Sequence, residues 1–346
     1  GVFMESIQEV VKIIKSLSKS DRVLLLEILT DTPEIKAGSG FNSIKTKVTC
    51  PHCHSNHFVK NGFRGEIQRF ICKDCKKSFT TRTNTITEHS KKSYETWCKF
   101  LECMMNGLSI RRSAEICGIN KDTSFIWRHK VLGALQEMQS EVKLDGIVET
   151  DETFFPLSFK GNHEKSINFV MPRKAHKRGK QVHLRGLSRE QVCVPCGVNG
   201  NGLSVARISN LGKVGTKDLE FAFRNQITED SVVCCDGATA YKKYAQNHKL
   251  DLIQLKSGKS KIGNFHVQHI NAYHSVLKTW IRRFNGVSTK YLNNYLVWHN
   301  FVNYANESYT EKKNILESFV FTVSKTVLCK NVPLRNPIPV RLGYVA

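Results

Sequence analysis

Ile147-Val148-Glu149-Thr150-Asp151-Glu152-Thr153-Phe154-Phe155, residues 147–155, is rich in β-branched and aromatic side chains and predicts a strand with an acid at its centre. Further strands are expected over Gln191 to Val198 and Leu203 to Ile208, a helix near Lys217 to Phe223, and a buried strand in Ser231-Val232-Val233-Cys234-Cys235. Alternation of strands with helices makes this part of the chain a mixed α/β domain. Two acids stand where its strands should carry function: Asp151, and Asp236 directly after the apolar run and before Gly237. A carboxylate on or at the end of a buried strand costs several kcal/mol unless an ion or partner compensates it. For Asp236 the bland alternative is an Asx turn leading into a helix over Ala240 to Gln246. Glu152 should point to the opposite face from Asp151, whereas Glu149 shares its face and could assist.

Upstream, Cys50-x2-Cys53 and Cys72-x2-Cys75 are two knuckles separated by eighteen residues. Each pair places two thiolates on one side of a tight turn, and the two together close a four-sulfur cage for structural Zn²⁺. Phe58 to Gly62 and Gln68 to Ile71 are expected as short strands between them, which makes residues 46–84 a zinc ribbon. His52 and His54 are read as non-ligands, since four thiolates already satisfy the ion. Cys193 and Cys196 form another CxxC, but on a strand they point to opposite faces and read as structural.

Residues 90–142 return to helical periodicity. Ala114 lets two helices approach, Gly118 permits the tight turn, and Ile119, Ile126 and Trp127 supply the apolar side of the next helix, which is helix-turn-helix grammar. A recognition helix from about Lys121 to Leu135 would offer Lys121, Ser124 and Arg128 to DNA. Before the ribbon, residues 1–42 read as a helical hairpin followed by a linker; after Asn306, residues 306–346 say little.

The 346 residues carry a net charge of +22, and three blocks hold nearly all of it: residues 46–92, 156–190 and 249–290 contribute +7 each. Such blocks suit a polyanion, and nucleic acid is the expected partner. The block 156–190 interrupts the α/β domain as a long basic loop in which Lys174, Lys177 and Arg178 are candidate backbone contacts. No apolar run is long enough to span a bilayer, and Glu5 and Glu9 give the start of the chain no signal-peptide profile, so a cytoplasmic, reduced setting is expected.

The last element is His269-Ile270-Asn271-Ala272-Tyr273-His274-Ser275-Val276-Leu277-Lys278, a helix whose basic edge continues through Arg282 and Arg283. Ribbon, helix-turn-helix, Asp-Glu-Thr strand, apolar strand with Asp-Gly, and this helix together resemble a bacterial insertion-sequence transposase of the ISXO2-like group, over roughly residues 45–305. The resemblance implies an RNase H-like catalytic domain over residues 145–305 with an acidic triad. It maps the triad onto Asp151, Asp236 and, where many relatives carry Glu, Asn271. It further implies two catalytic Mg²⁺ or Mn²⁺ ions held by these residues, terminal inverted repeats and target DNA as partners, a homo-oligomer in the synaptic complex, and a nucleoid-associated enzyme that cleaves and joins DNA. An amide carbonyl can ligate Mg²⁺ without charge, so Asn271 is compatible with activity. The competing expectations are a catalytically inactive regulator derived from a transposase, supported by Asn271, and a nuclease that cleaves without joining. His269 and His274 either orient a phosphate or water or simply touch neighbouring side chains.

Overall fold

The structure, a computed structural model, describes residues 48–65, 67–162, 170–175, 177, 188–255, 261–303, 308–322 and 331–337. The hairpin expected over residues 1–42 lies outside them, as do Arg178 and much of the basic block 156–190. The chain divides into two compact units, one holding residues up to Thr83 with Lys91–Glu95, the other Asn84–Ser90 and everything from Thr96 onward.

In the first unit, strands β1 (Phe58–Arg64), β2 (Ile67–Cys72) and β3 (Ser78–Thr80) form an antiparallel sheet in that order. The expected strands are present, and β1 continues past Gly62 through an irregularity between Lys60 and Phe63. Its apolar content is small. Phe58, Phe70 and Phe79 meet with ring centroids 5.3–5.4 Å apart and pack against buried Cys50 and Cys72.

Helix α1 (Tyr94–Met105), which lies in the second unit from Thr96 onward, is followed there by α2 (Ile110–Cys117) and α3 (Lys121–Glu141). Ser109 caps α2 by accepting from Arg112 N–H, and Gly118, at φ 58°, ends it in the left-handed conformation that its missing Cβ allows. Asn120 then caps α3 by accepting from Asp122 N–H at 2.8 Å. Trp97 stacks on Trp127 at 3.7 Å between ring centroids, which joins α1 to α3. Helix α3 outruns the expected end near Leu135 by six residues, and within that extension Gln139 is buried with its Nε2 donating to Ser204 C=O at 2.8 Å.

The main sheet has the order β6-β5-β4-β7-β8, from β4 (Ile147–Pro156), β5 (Gln191–Asn199), β6 (Ser204–Ala206), β7 (Val232–Cys235) and β8 (Asp251–Gln254). The β4–β5 and β5–β6 pairs are antiparallel, while β4–β7 and β7–β8 are parallel. Helices α4 (Thr216–Phe223) and α5 (Thr239–His248) supply Leu219, Phe223, Tyr241 and Tyr244 to a core shared with Val148, Cys193, Val233 and Cys235. The other face receives α6 (Gln268–Arg282), reached through the small hairpin of β9 (Lys261–Ile262) and β10 (Phe265–His266). Helix α7 (Thr289–Val302) is almost wholly buried, and α3 packs along it; α8 (Tyr309–Thr322) follows. Period-two alternation thus sorts the strands: Val148, Thr150, Glu152 and Phe154 of β4 face α4 and α5, and Glu149, Asp151 and Cys196 take the face toward α6.

Candidate functional site

In the ribbon, Cys50 Sγ lies 3.6 Å from Cys75 Sγ and Cys53 Sγ 3.6 Å from Cys72 Sγ, and all four sulfurs fall within 4.8 Å of one another. A tetrahedral zinc with Zn–S bonds of about 2.3 Å spaces its sulfurs about 3.8 Å apart, so the four thiols fit that ion. The loops that present them are closed by backbone bonds, His54 N–H to Cys50 C=O at 2.8 Å and Cys72 N–H to Lys77 C=O at 3.0 Å. The N–H groups of Cys75 and Asp74 aim at the Cys72 sulfur and bring its thiol down to about 6, while the neighbouring Cys53 thiol is pushed up to about 12. His54 stands exposed at φ 59° as part of the knuckle turn.

In the main sheet, the parallel register of β4 and β7 pairs Val148 with Val233 and Glu149 with Cys234. Asp236 follows Cys234 by two residues, just past the end of β7, as Asp151 follows Glu149 along β4, and the two lie close enough for the Asp236 charge to act on Asp151. Burial first, and then the Asp236 charge, raises the Asp151 carboxyl to about 6. Asp236 is exposed just past the end of β7, with Oδ1 accepting from Ala238 N–H at 3.0 Å. It therefore makes the Asx turn weighed as the bland alternative, and it does so while standing next to Asp151. Glu152 takes the opposite face as expected: Tyr241 Oη donates to its Oε2 at 3.0 Å, and burial followed by the Asp151 charge raises it to about 7.

Helix α6 crosses this face with Asn271, His274 and Lys278 spaced as one stripe. His274 is the member that touches the acids, with Nδ1 3.7 Å from Asp151 Oδ2. It is buried, its Nε2 has no hydrogen-bond partner among the described residues, and burial followed by the Lys278 charge lowers it to about 4, so it is neutral. Asn271 is exposed, one turn nearer the start of the helix. Glu149, expected to assist Asp151, is engaged elsewhere: its Oε2 accepts the backbone N–H groups of His269 and Ile270 at 2.9 and 3.1 Å, and its Oε1 meets His269 Nδ1 at 2.6 Å. His269 accordingly touches a neighbour.

Two of the expected DNA contacts need correction. Ser124 is fully buried, its Oγ donating to Ile110 C=O at 2.9 Å. Arg128 is 1% exposed; its guanidinium donates to Leu108 C=O at 2.6 Å and lies 5.0 Å from the centre of the Trp298 ring. Both residues hold α3 to its neighbours and cannot reach a base edge, which leaves Lys121 exposed at the start of α3. Lys174, Lys177, Lys278 and Arg282 are exposed, and Arg283 is exposed with its guanidinium 5.0 Å from the Trp280 ring centre. Within the basic block, Arg173 is pinned by Glu190 at 2.8 Å and by Leu157 C=O. The last part of the chain, unreadable in sequence, packs on α7: Tyr291 Oη donates to Val332 C=O at 3.1 Å and Arg335 to Asn294 Oδ1 at 3.0 Å.

Residues 143–314 match the family model described as the ISXO2-like transposase domain. The chain is 22% identical over 277 residues, 79% of its own length and 91% of the relative's, to an uncharacterized protein in transposable element ISH50 of Halobacterium salinarum. Among solved structures it is similar to a pre-cleavage Mos1 transpososome, with 9% identity, 66% of this chain and 79% of that chain covered, and a TM-score of 0.21. It is also similar to the Mos1 mariner paired-end complex with Mn, with 11% identity, 64% and 76% covered, and a TM-score of 0.23. Likeness at these TM-scores carries no weight for the fold.

Proposed function

The chain belongs to the ISXO2-like transposase family, and on that premise we propose that its α/β unit is an RNase H-like polynucleotidyl transferase that cleaves and joins DNA at the terminal inverted repeats of its insertion sequence. The observation that supports this reading is the parallel β4–β7 pairing, after which Asp151 and Asp236 follow at corresponding positions, close enough for the Asp236 charge to act on Asp151. The sheet order supports it too, since a long central strand flanked by an antiparallel neighbour on one side and parallel strands on the other is the RNase H-like arrangement.

Asp151 and Asp236 would hold Mg²⁺ or Mn²⁺, with Asn271 offering its amide oxygen as the third ligand. Two such ions, when bound, activate a water or a 3′-OH and stabilise the leaving oxygen in in-line attack on phosphorus. The chain's own residues do the positioning. His274 would pack beside Asp151, Lys278 would offset charge at the acids, and Glu152, on the far face of β4, would be held by Tyr241. Lys121 at the start of α3, the ribbon, and the exposed Lys174, Lys177, Lys278, Arg282 and Arg283 are the proposed contacts to repeat and target DNA. The working form would be a homo-oligomer that synapses two ends in the bacterial cytoplasm at the nucleoid. Among the described residues no helix is long and apolar enough to cross a membrane.

Incubating the protein with its own flanking DNA, Mg²⁺ and a supercoiled target tests this. Cleaved and joined products are expected from the parent, and none from Asp151→Asn or Asp236→Asn, which should still retard repeat DNA. Retardation without products in the parent would favour the inactive regulator, and cleavage without joining the nuclease.

A further inference from the structure

Glu149, His266 and His269 converge outside the Asp151–Asp236 pair, with a carboxylate oxygen and two ring nitrogens within 4.8 Å of one another. Three elements deliver them: the central strand β4, the hairpin strand β10 and the first turn of α6. The two helix N–H groups on Oε2 fix the Glu149 carboxylate, which leaves Oε1 facing His269 Nδ1 at 2.6 Å and His266 Nδ1 at 3.1 Å. His266 Nδ1 also accepts from Gln268 N–H at 3.4 Å. At 2.6 Å the His269 ring is at hydrogen-bond distance from Oε1, closer than the roughly 3.4 Å between two donors of a tetrahedral Zn²⁺, so this exposed ring would move outward by less than about 1 Å to admit an ion.

We propose that Glu149, His266 and His269 form a second metal site, one that takes a borderline transition ion of the Zn²⁺ class. Two imidazoles and a carboxylate are the donor set of zinc sites that keep a fourth position open, whereas Mg²⁺ takes oxygen. The site has the matching access. The Glu149 side chain is 5% exposed, that of His266 21%, and that of His269 66%, so the donors are anchored within and open to solvent at one side. An ion here ties β4, the hairpin and α6 together at the start of the helix that carries Asn271 and His274. The inference stands apart from the transposase reading, because it is read from metal content and needs no DNA.

The test is metal analysis of full-length protein loaded with Zn²⁺ and dialysed against excess Mg²⁺, which occupies oxygen-only sites. Two zinc ions per chain are expected in the parent. Cys72→Ser should retain the second site, and Glu149→Gln should retain only the ribbon zinc, since a glutamine still accepts the two helix N–H groups. Titration of the metal-free parent with Co²⁺ gives an independent readout. Thiolate charge-transfer absorption should saturate with the first equivalent, and the second should add ligand-field bands alone. One zinc per chain in both the parent and a folded Glu149→Gln variant would overturn the proposal. So would cobalt saturation at one equivalent, which decides the matter even if Glu149→Gln fails to fold.

Discussion

Three phenylalanine rings and the cysteines beside them make up the buried cluster of the ribbon, whereas the core of the α/β unit runs from Val142 to Leu250 through two helices and the main strands. The ribbon's contacts are local: Cys50 and Cys75 are 25 positions apart, and its sheet pairs neighbours in sequence. Those of the α/β unit are distant, with His269 bonded to Glu149 across 120 positions and Asn294 to His129 across 165. A region that buries little would gain most from bonds to an ion, and one with a wide core can dispense with it.

Removing metal should therefore have the largest effect of any change considered, and only on one side of this comparison. Structural zinc contributes on the order of 10 kcal/mol to folding small metal domains. Chelation should abolish hydrogen-exchange protection over residues 58–80 and leave the amides of β4, β5 and β7 protected. Equal protection of the ribbon with and without chelator would mean that its aromatic cluster suffices.

Within the α/β unit, the sharpest effect should come from α6. Asn271→Ala should lower the cleavage rate by about a hundredfold or more, the scale of losing one charge-stabilising group at a reacting centre, while Asn271→Glu should keep or raise it. His274→Ala should cost less, about tenfold, because it removes a brace on Asp151. Repeat binding should survive in all three. Single-turnover cleavage with matched DNA occupancy separates the outcomes. If His274→Ala is inactive and Asn271→Ala cleaves like the parent, α6 delivers its third ligand through His274.

The seam between α3 and α7 offers a smaller effect and tests the correction made to the DNA contacts. Arg128→Ala loses a charged hydrogen bond to Leu108 C=O and a buried contact with Trp298. These interactions together are worth about 2–4 kcal/mol, to be read as a lowered urea midpoint. A base-reading arginine would leave stability untouched and change sequence preference instead.

What was legible in the sequence follows the same division. Knuckle spacing and the flanking phenylalanines are local signals, and the ribbon's strands and four sulfurs emerge from them directly. The places of Asp151 within a central strand and of Asp236 just past the end of its parallel neighbour were also readable, because both stand against apolar runs of strand-forming residues. Which residue of α6 meets them was not, since that depends on how the helix is rotated against β4; the one-turn offset between Asn271 and His274 leaves no trace in periodicity. Ser124 and Arg128 were misassigned for a related reason. Ser124 turns back onto Ile110 C=O of α2 and Arg128 onto Leu108 C=O, while Trp298 of the distant α7 covers the Arg128 guanidinium, so these polar residues of α3 face inward.

The two regions nevertheless carry equal charge surpluses, +7 over residues 46–92 and +7 over 156–190, and the smallest predicted effect concerns how they share DNA. Each phosphate neutralised on duplex DNA releases condensed counterions and contributes about −0.9 to the slope of log affinity against log salt. Lys174 and Lys177 are exposed and unengaged by ion pairs among the described residues, unlike Arg173, which Glu190 holds. Replacing both with Ala should therefore flatten the salt slope by about two and weaken repeat and unrelated DNA alike. The same double change at Lys76 and Lys77 of the ribbon should do so as well, if both surfaces track the backbone. Loss confined to repeat DNA after either change would identify that region as the one that reads bases, because a backbone contact cannot distinguish one sequence from another.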